Sequence, residues 1–433
     1  MALPNCPPGV RGRVDIPSNI DEMAPHIVAD RPHAGIGFRE FVALTAALMA
    51  MVALAIDTML PALPAIGASL GIASENERQL IVTIFLLGLG AGQIVYGPLS
   101  DRVGRRPVLI GGTAAYALCS LGAALAPSFH ILLAFRLMQG LSVAATRVVT
   151  VSMVRDCYGG RQMARVMSLA FMVFLAVPVL APSIGQFVLL FVPWRGLFGA
   201  LTFWGVLVLI WLAWRVPETL HPDYRRPIEF ASLADAVRRA LTNREALGYM
   251  LALTVISGAL YGFINSVQQI FADTFHKPHL MPTVFAAIAG MMALASLINS
   301  RIVERLGTRR VSHSALIGFV TIELVHLGIT LACAETVWSF ALCQAAAMFC
   351  FGLSVANFGA MAMEPLAEVA GMAASVQGFV STVGGALIGF AIGQNFDGTT
   401  VPVTAGFALA GVTGLAIVLV TERGRLFRPH NGA

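Results

Sequence analysis

Gly97-Pro98-Leu99-Ser100-Asp101-Arg102-Val103-Gly104-Arg105-Arg106-Pro107 is the stretch on which the reading of this chain turns. On either side lie runs with almost no charge, at about 79–99 and 107–126. Runs of about 20 apolar residues are long enough, as helices, to cross a ~30 Å hydrocarbon core. Backbone that faces lipid must satisfy every N–H and C=O internally, so helices are the sensible assignment. The stretch is therefore a connection at a membrane surface. Gly104 supplies a tight turn. The arginines mark the side on which the connection lies. Asp101 can sit at a helix N-terminus and pair with a nearby Arg, and Gly97 lets a neighbouring helix approach closely.

Working outward, the same alternation covers the chain. Of its 433 residues, 57% are hydrophobic and 12% charged, with a mean hydropathy of +0.78. A water-soluble domain carries roughly a quarter charged residues, so there is too little charge here to clothe a soluble surface. Twelve apolar spans follow, at about 41–64, 79–99, 107–126, 130–153, 164–191, 196–216, 247–271, 282–303, 312–332, 337–362, 373–395 and 403–421. Residues 1–36 read as a flexible tail without periodicity. The first apolar run lacks an A-x-A-like cleavage site and so is not read as a signal peptide; translation from Met23 would cost the fold nothing. Residues 37–216 form a first six-helix half, 217–246 a linker, 247–421 a second half and 422–433 a short tail. Within the linker, Ser232 to Leu241 is expected to be a short amphipathic helix lying on the membrane surface.

Charge placement sets the orientation. If both termini lie on one side, that side collects 23 of the 28 basic residues, against Arg78, Arg195 and Lys277 opposite, with Arg136 and Arg147 inside a span. By the positive-inside rule both termini are cytoplasmic. The same distribution excludes a nucleic-acid surface, because no basic run is long or aromatic enough to make one. The cysteines form no CxxC pair and none lies near a His at ligand spacing. There is also no GxxxxGK[ST] loop and no nucleophile elbow. No metal, no cofactor and no enzymatic activity are expected.

A repeat supports the division into halves. Glu304, Arg305, Gly307 and Arg309 follow the eighth span as Asp101, Arg102, Gly104 and Arg106 follow the second, at one offset of 203 residues. Related halves with a substrate site between them, near the bilayer midplane, are a common build of secondary transporters. The expected fold class is an all-α membrane protein with twelve transmembrane helices in two six-helix halves around a central cavity.

The 97–107 stretch resembles the signature loop of the major facilitator superfamily. Further motifs resemble that superfamily's Bcr/CflA group of drug:proton antiporters, most densely from about 50 to 200. They are Ile56-Asp57-Thr58-Met59-Leu60-Pro61-Ala62-Leu63-Pro64, Phe85-Leu86-Leu87-Gly88 with Gly92-Gln93, Phe135-Arg136-Leu137-Met138-Gln139-Gly140 and Val154-Arg155-Asp156. Pro178, Ala181-Pro182 and Gly185, then Trp194-Arg195, continue the series. The resemblance implies a multi-pass protein of the bacterial inner membrane that expels small toxic compounds in exchange for protons. It implies a proton-coupling role for Arg136 and for the span 1 acid Asp57. It also makes Pro178, Pro182 and Gly185 a span 5 exporter motif, closed here by Gly185-Gln186 where two glycines are usual.

The residue chemistry supports a transport site independently. Arg136 and Arg147 lie eleven residues apart in span 4, close to three full turns and so on one helix face. Placing both in lipid would cost about 5–7 kcal/mol on insertion scales, so that face must look into a wet cavity or find partners. The resemblance, which implies that helices 1 and 4 line the cavity, makes Asp57 the expected partner. A carboxylate there, moved relative to Arg136 between inward- and outward-open states, could take up and release a proton. Glu323 and His326, one turn apart in span 9, are a rival titratable pair; the resemblance implies that span 9 is peripheral, so they are expected to be an intrahelical hydrogen-bonded pair. Ser257, Tyr261, Asn265 and Gln268 make one polar stripe on span 7, with Asn357 in span 10 and Gln377 and Ser381 in span 11. Such residues serve equally as helix–helix glue or cavity lining. The expected partners are a small-molecule substrate, protons and the lipid bilayer, with the chain acting as a monomer. The alternative is a carrier of one specific metabolite, a sugar or an organic acid; a non-transporting membrane sensor is more remote.

Overall fold

A computed structural model describes residues 35–225 and 230–427. Most of the N-terminal tail, with Met1 and Met23, and the end of the C-terminal tail lie outside them. The first half comprises α1 (Phe38–Asp57), α2 (Leu80–Val103), α3 (Arg105–Ala124), α4 (Phe129–Cys157), α5 (Gly160–Leu189) and α6 (Trp194–Arg215). The second comprises α7 (Arg244–Gln269), α8 (Met281–Leu306), α9 (Thr308–Leu331), α10 (Val337–Met363), α11 and α12 (Val401–Thr421). Helix α11 runs as Ala370–Phe379 and Gly385–Gln394, joined by a π-turn, Val380–Gly384.

Local chemistry explains the breaks. Pro61 and Pro64 lack the N–H that would continue α1, so the chain steps through a 3₁₀ turn, Leu60–Ala62, into a short helix, Leu63–Leu70. Among the described residues eleven helical stretches are long and apolar enough to cross a membrane, and one of them, Val337–Gln394, has 58 residues. Such a stretch would extend about 87 Å as one helix, far beyond one crossing. It folds back at Glu364–Val369, where Leu366 leaves helical geometry, which makes twelve crossings in all.

Each half is knitted by small residues. A Cβ on Gly140 of α4 would lie 2.0 Å from the carbonyl oxygen of Phe85 on α2, and one on Gly88 would lie 2.2 Å from that of Leu137. Apolar lipid provides little drive for helices to associate, so backbone-to-backbone approach at glycine supplies the packing instead. The two halves meet where α2 packs on α11 and α5 packs on α8. These two contacts exchange under the repeat, since α8 is the second helix of its half and α11 the fifth.

The linker helix, Phe230–Thr242, is amphipathic as expected, but the protein itself uses its apolar face. Ala240 is buried in a small cluster with Ala246, Leu366, Ala373 and Val376, against which Val237 packs, and Ala236 is buried as well. Arg239 bonds Glu368 in the α10–α11 turn at 2.7 Å. The helix is docked on the arginine-rich end of the bundle.

Candidate functional site

A cavity of about 1550 Å³ lies between the halves. Its wall takes Met49 from α1, Gln93 and Gly97 from α2, Arg147, Val151 and Ser152 from α4, Phe171 from α5, Leu253 from α7 and Gln377 and Ser381 from α11. Its mouth is lined by Asp101, Arg105, Arg155, Asp156, His221 and Glu368. The cavity therefore opens at the end that carries the 97–107 loop.

The opposite end is shut by amides. Gln79, just before α2, donates to Gln269 Oε1 at 2.6 Å and to the Gly393 carbonyl at 3.0 Å. Gln269 donates to Asn76 at 2.8 Å. Asn76 donates to the carbonyls of Gln394 and Phe396, and Gln394 donates back to the Asn76 carbonyl at 2.7 Å. Every one of these bonds crosses between halves. They are neutral, so breaking them exposes no charge. Two π-turns lie where the halves meet: Ile270–Thr274 follows Gln269, and Val380–Gly384 carries Ser381 and Thr382. Turns of this kind interrupt helices at functional positions.

The 97–107 loop is a tightly bonded corner. Gly104 has φ 118°, a conformation almost confined to glycine, and a Cβ there would lie 2.3 Å from Glu218 Oε2. Glu218 accepts from the Arg105 and Arg106 backbone N–H groups at 2.9 and 3.3 Å, capping α3. Arg105 bonds Asp101 at 2.5 Å and Asp156 at 2.9 Å, tying α2 to α4. Arg106 reaches the Ala213 carbonyl at 2.7 Å, while Arg102 is exposed.

In the second half Arg309 bonds Glu422 at 2.9 Å and Glu245 at 3.2 Å, and Gly307 has φ 81°. Glu304 and Arg305 are exposed. Tyr249 donates to Glu422. Burial would raise the Glu422 carboxyl, but the Tyr249 hydroxyl and the Arg309 guanidinium outweigh it and hold the group below the usual glutamate range. Glu218 and Glu422 were not singled out by the sequence reading. Each lies just past the sixth helix of its half, at an offset one residue from that of the repeat, and that was the available signal.

Arg136 is wholly buried. Its Nε donates to the Ile81 carbonyl at 2.9 Å, and Nη1 donates to the Ala55 carbonyl at 3.1 Å and to Gln139 at 2.7 Å. Its guanidinium lies 4.4 Å from the Phe85 ring centroid. The expected ion pair with Asp57 is not formed. Asp57 is buried, its carboxylate has no ion pair or side-chain hydrogen bond among the described residues, and Nη2 of Arg136 is left without a partner. The physical reason is that carbonyls exposed by α1 and α2 reach the guanidinium first. The pair does share one element: the Ala55 carbonyl that Arg136 holds is two residues before Asp57. Of the exporter motif, Pro178 and Pro182 lie inside α5, and a Cβ on Gly185 would lie 2.2 Å from the Thr58 carbonyl oxygen. Gly185 therefore fixes the approach of α5 to the residue after Asp57.

The polar residues predicted for the cavity separate. Arg147 and Gln377 line it. Tyr261 is not among the lining residues and packs against Gly385 and Gly389 of α11. Asn265 instead bonds Thr83 at 3.2 Å across the halves, and Gln268 is buried beside the closed end. Asn357 is helix glue, bonded to Asn299 of α8 at 2.9 Å. The stripe on α7 is thus divided by depth, because the cavity ends before the stripe does. Gln93, which bonds Thr382 at 3.0 Å, is a wall residue that motif reading placed only beside the loop. His326 is 3.4 Å from Glu323 but 2.7 Å from Glu335. Glu335 also accepts from Thr330 and Thr400, so the span 9 pair is a buried triad outside the cavity.

Comparison with known proteins adds four observations. The sequence model of the Major Facilitator Superfamily matches residues 45–393. An uncharacterized MFS-type transporter of Bacillus subtilis, YdgK, is 30% identical over 368 residues, covering 83% of this chain and 89% of its own. A bicyclomycin resistance protein homolog of Haemophilus influenzae is 27% identical over 378 residues, covering 85% and 92%. Among solved structures, a partially occluded inward-open conformation of the Escherichia coli xylose transporter XylE aligns with TM-score 0.67 over 88% of this chain and 97% of its own. Its identity is 12%, so that likeness is one of fold alone.

Proposed function

Because this chain belongs to the major facilitator superfamily and is a transporter, we propose that it exports small amphipathic drugs across the bacterial inner membrane in exchange for protons. The observation that carries the reading is the cavity between the halves, open at the arginine-rich end and shut at the other by the Gln79, Gln269, Asn76 and Gln394 cluster. With that end and both termini in the cytoplasm, as the charge distribution argues, the state is loaded from inside. Breaking the amide cluster while the mouth closes would release the cargo outside. The resistance named for the Haemophilus relative supports export of a drug.

Asp57 and Arg136 are the proposed coupling pair. In the inward-open state Arg136 is engaged by carbonyls and has one nitrogen to spare. Rocking of α1 against α4 would release the Ala55 carbonyl and bring Asp57 within reach of that nitrogen. Proximity to the guanidinium favours the carboxylate and expels its proton; separation into the buried site favours the protonated acid. A proton entering down about 100 mV supplies about 2.3 kcal/mol, enough for about fifty-fold accumulation at about 1.4 kcal/mol per tenfold.

The test is proton flux in proteoliposomes under an imposed pH gradient, with a panel of neutral, cationic and anionic drugs and of sugars. Drug-triggered proton movement that vanishes in Asp57→Asn is expected. Silence with every drug and a response to one sugar would sink the export reading. Movement that survives Asp57→Asn would remove Asp57 from the coupling role.

A further inference from the structure

The deep part of the cavity holds one cation and no acid to balance it. Arg147 is exposed into the cavity, and no ion pair to it exists among the described residues. Its Cα is ten residues before the end of α4, about 15 Å in from the arginine-rich end at 1.5 Å per residue.

The carboxylates that line the mouth bond other arginines. Asp101 and Asp156 both bond Arg105, at 2.5 and 2.9 Å. Asp235 and Glu368 both bond Arg239, at 2.7 Å each. Arg155, at the mouth, is a second cation with no ion pair among the described residues. The acids are confined to the mouth, so at the depth of Arg147 the wall carries a cation alone, and low-dielectric walls strengthen its pull on a mobile counter-ion.

The surroundings say what kind of counter-ion fits. Gln93, Gln377 and Ser381 add polar side chains to the wall. Met49, Phe171 and Leu253 provide an apolar wall. A small inorganic anion would leave that wall unused. A guanidinium grips a carboxylate or sulfonate with paired N–H donors, which a point charge cannot do.

We infer that Arg147 is the anchor of an organic-anion site: the preferred cargo is a molecule with an apolar, aromatic body and a single carboxylate or sulfonate, its acidic group on Arg147 and its body against Phe171, Met49 and Leu253. This names the charge class of the cargo and rests on the transport reading above. It reverses the preference expected if an unpaired acid lined the cavity.

Binding measured on the purified full chain in detergent separates the two. The probes share one body: 2-naphthoate, its neutral amide and the corresponding naphthylmethylammonium ion. Naphthoate is expected to bind about tenfold or more tightly than the amide, the scale of one charge-assisted hydrogen bond, with the ammonium ion weakest. Arg147→Gln should abolish that preference while leaving amide affinity within about twofold, and Arg147→Lys should restore part of it. An unchanged melting temperature in both variants confirms folding. Equal affinities in the unaltered protein, a preference that survives Arg147→Gln, no naphthoate binding, or displacement of naphthoate by inorganic sulfate at matched concentration would each overturn the assignment. Anion-selective binding without any drug-driven proton movement would leave this site standing and refute the antiport reading instead.

Discussion

Gly140→Ala should be among the most damaging single-methyl additions to this protein. The new Cβ would stand 2.0 Å from the Phe85 carbonyl oxygen, where carbon–oxygen contacts settle at about 3.3–3.6 Å. The obstacle is backbone, so no rotamer relieves it, and α2 must move from α4 by about 1.3 Å or more. Overpacking of this kind costs about 1–3 kcal/mol. The same shift acts on Arg136, one turn before Gly140 on α4, whose Nε sits 2.9 Å from the Ile81 carbonyl on α2. Lengthening by that amount ends the bond, and one to a charged group contributes about 1.5–3 kcal/mol. The expected loss is about 2.5–6 kcal/mol by addition of the two effects. Gly111→Ala on α3 is the control: a Cβ there meets nothing within 4 Å, so the change should be neutral or stabilising by up to about 1 kcal/mol through helix propensity. SDS-titrated unfolding in mixed micelles, followed by circular dichroism, compares them. If Gly140→Ala matches Gly111→Ala, the glycine-mediated approach of α2 to α4 is not what holds this half together.

Three further outcomes follow from the same geometry. Gln79→Ala removes both of that side chain's donated bonds to the second half, about 1–3 kcal/mol at ordinary hydrogen-bond values; the outward-open population should rise about 5- to 150-fold, read as faster labelling of a cysteine placed at the buried Ser266, and unchanged labelling would count against the amide gate. Glu335→Ala leaves His326 and Glu323 buried without their third member; removing one partner of a buried ionic group costs about 3–5 kcal/mol, so the variant should unfold well before the unaltered protein, while Glu335→Gln, which keeps an acceptor, should lose less. The Glu422 carboxyl titrates below its unfolded value because Tyr249 and Arg309 stabilise its charged form against the effect of burial. Its contribution to stability is therefore complete above the unfolded value, near pH 4.3, and is lost as pH falls through the lower folded value. Glu422→Gln should flatten the acid limb of a melting-temperature profile, and an acid limb identical to that of the unaltered protein would remove Glu422 as its source.

The sequence by itself determined the elements and their polarity. Twelve crossings, the turn glycines Gly104 and Gly307 and the arginine-rich end were legible because lipid allows one backbone solution and because the positive-φ turn and the charge bias are local in the chain. Pro61 and Pro64 likewise announce the end of α1. The repeat at one offset pointed to Arg309, though not to its acid partners Glu245 and Glu422, which are supplied by the ends of other helices. Only the tertiary structure decided partnership and depth. Arg136 and Arg147 are equivalent by periodicity, yet the first is sealed among carbonyls of α1 and α2 and the second faces the cavity. Asn265, Gln268 and Asn357 look like Gln377 in a polar stripe, but where the cavity stops is set by six helices at once. Glu335 lies in a connection with no periodicity to recommend it, and it completes the His326 triad by tertiary approach. A face can be read from spacing along one helix; what that face meets depends on residues hundreds of positions away, and the amide gate joining Asn76 to Gln394 is the plainest instance.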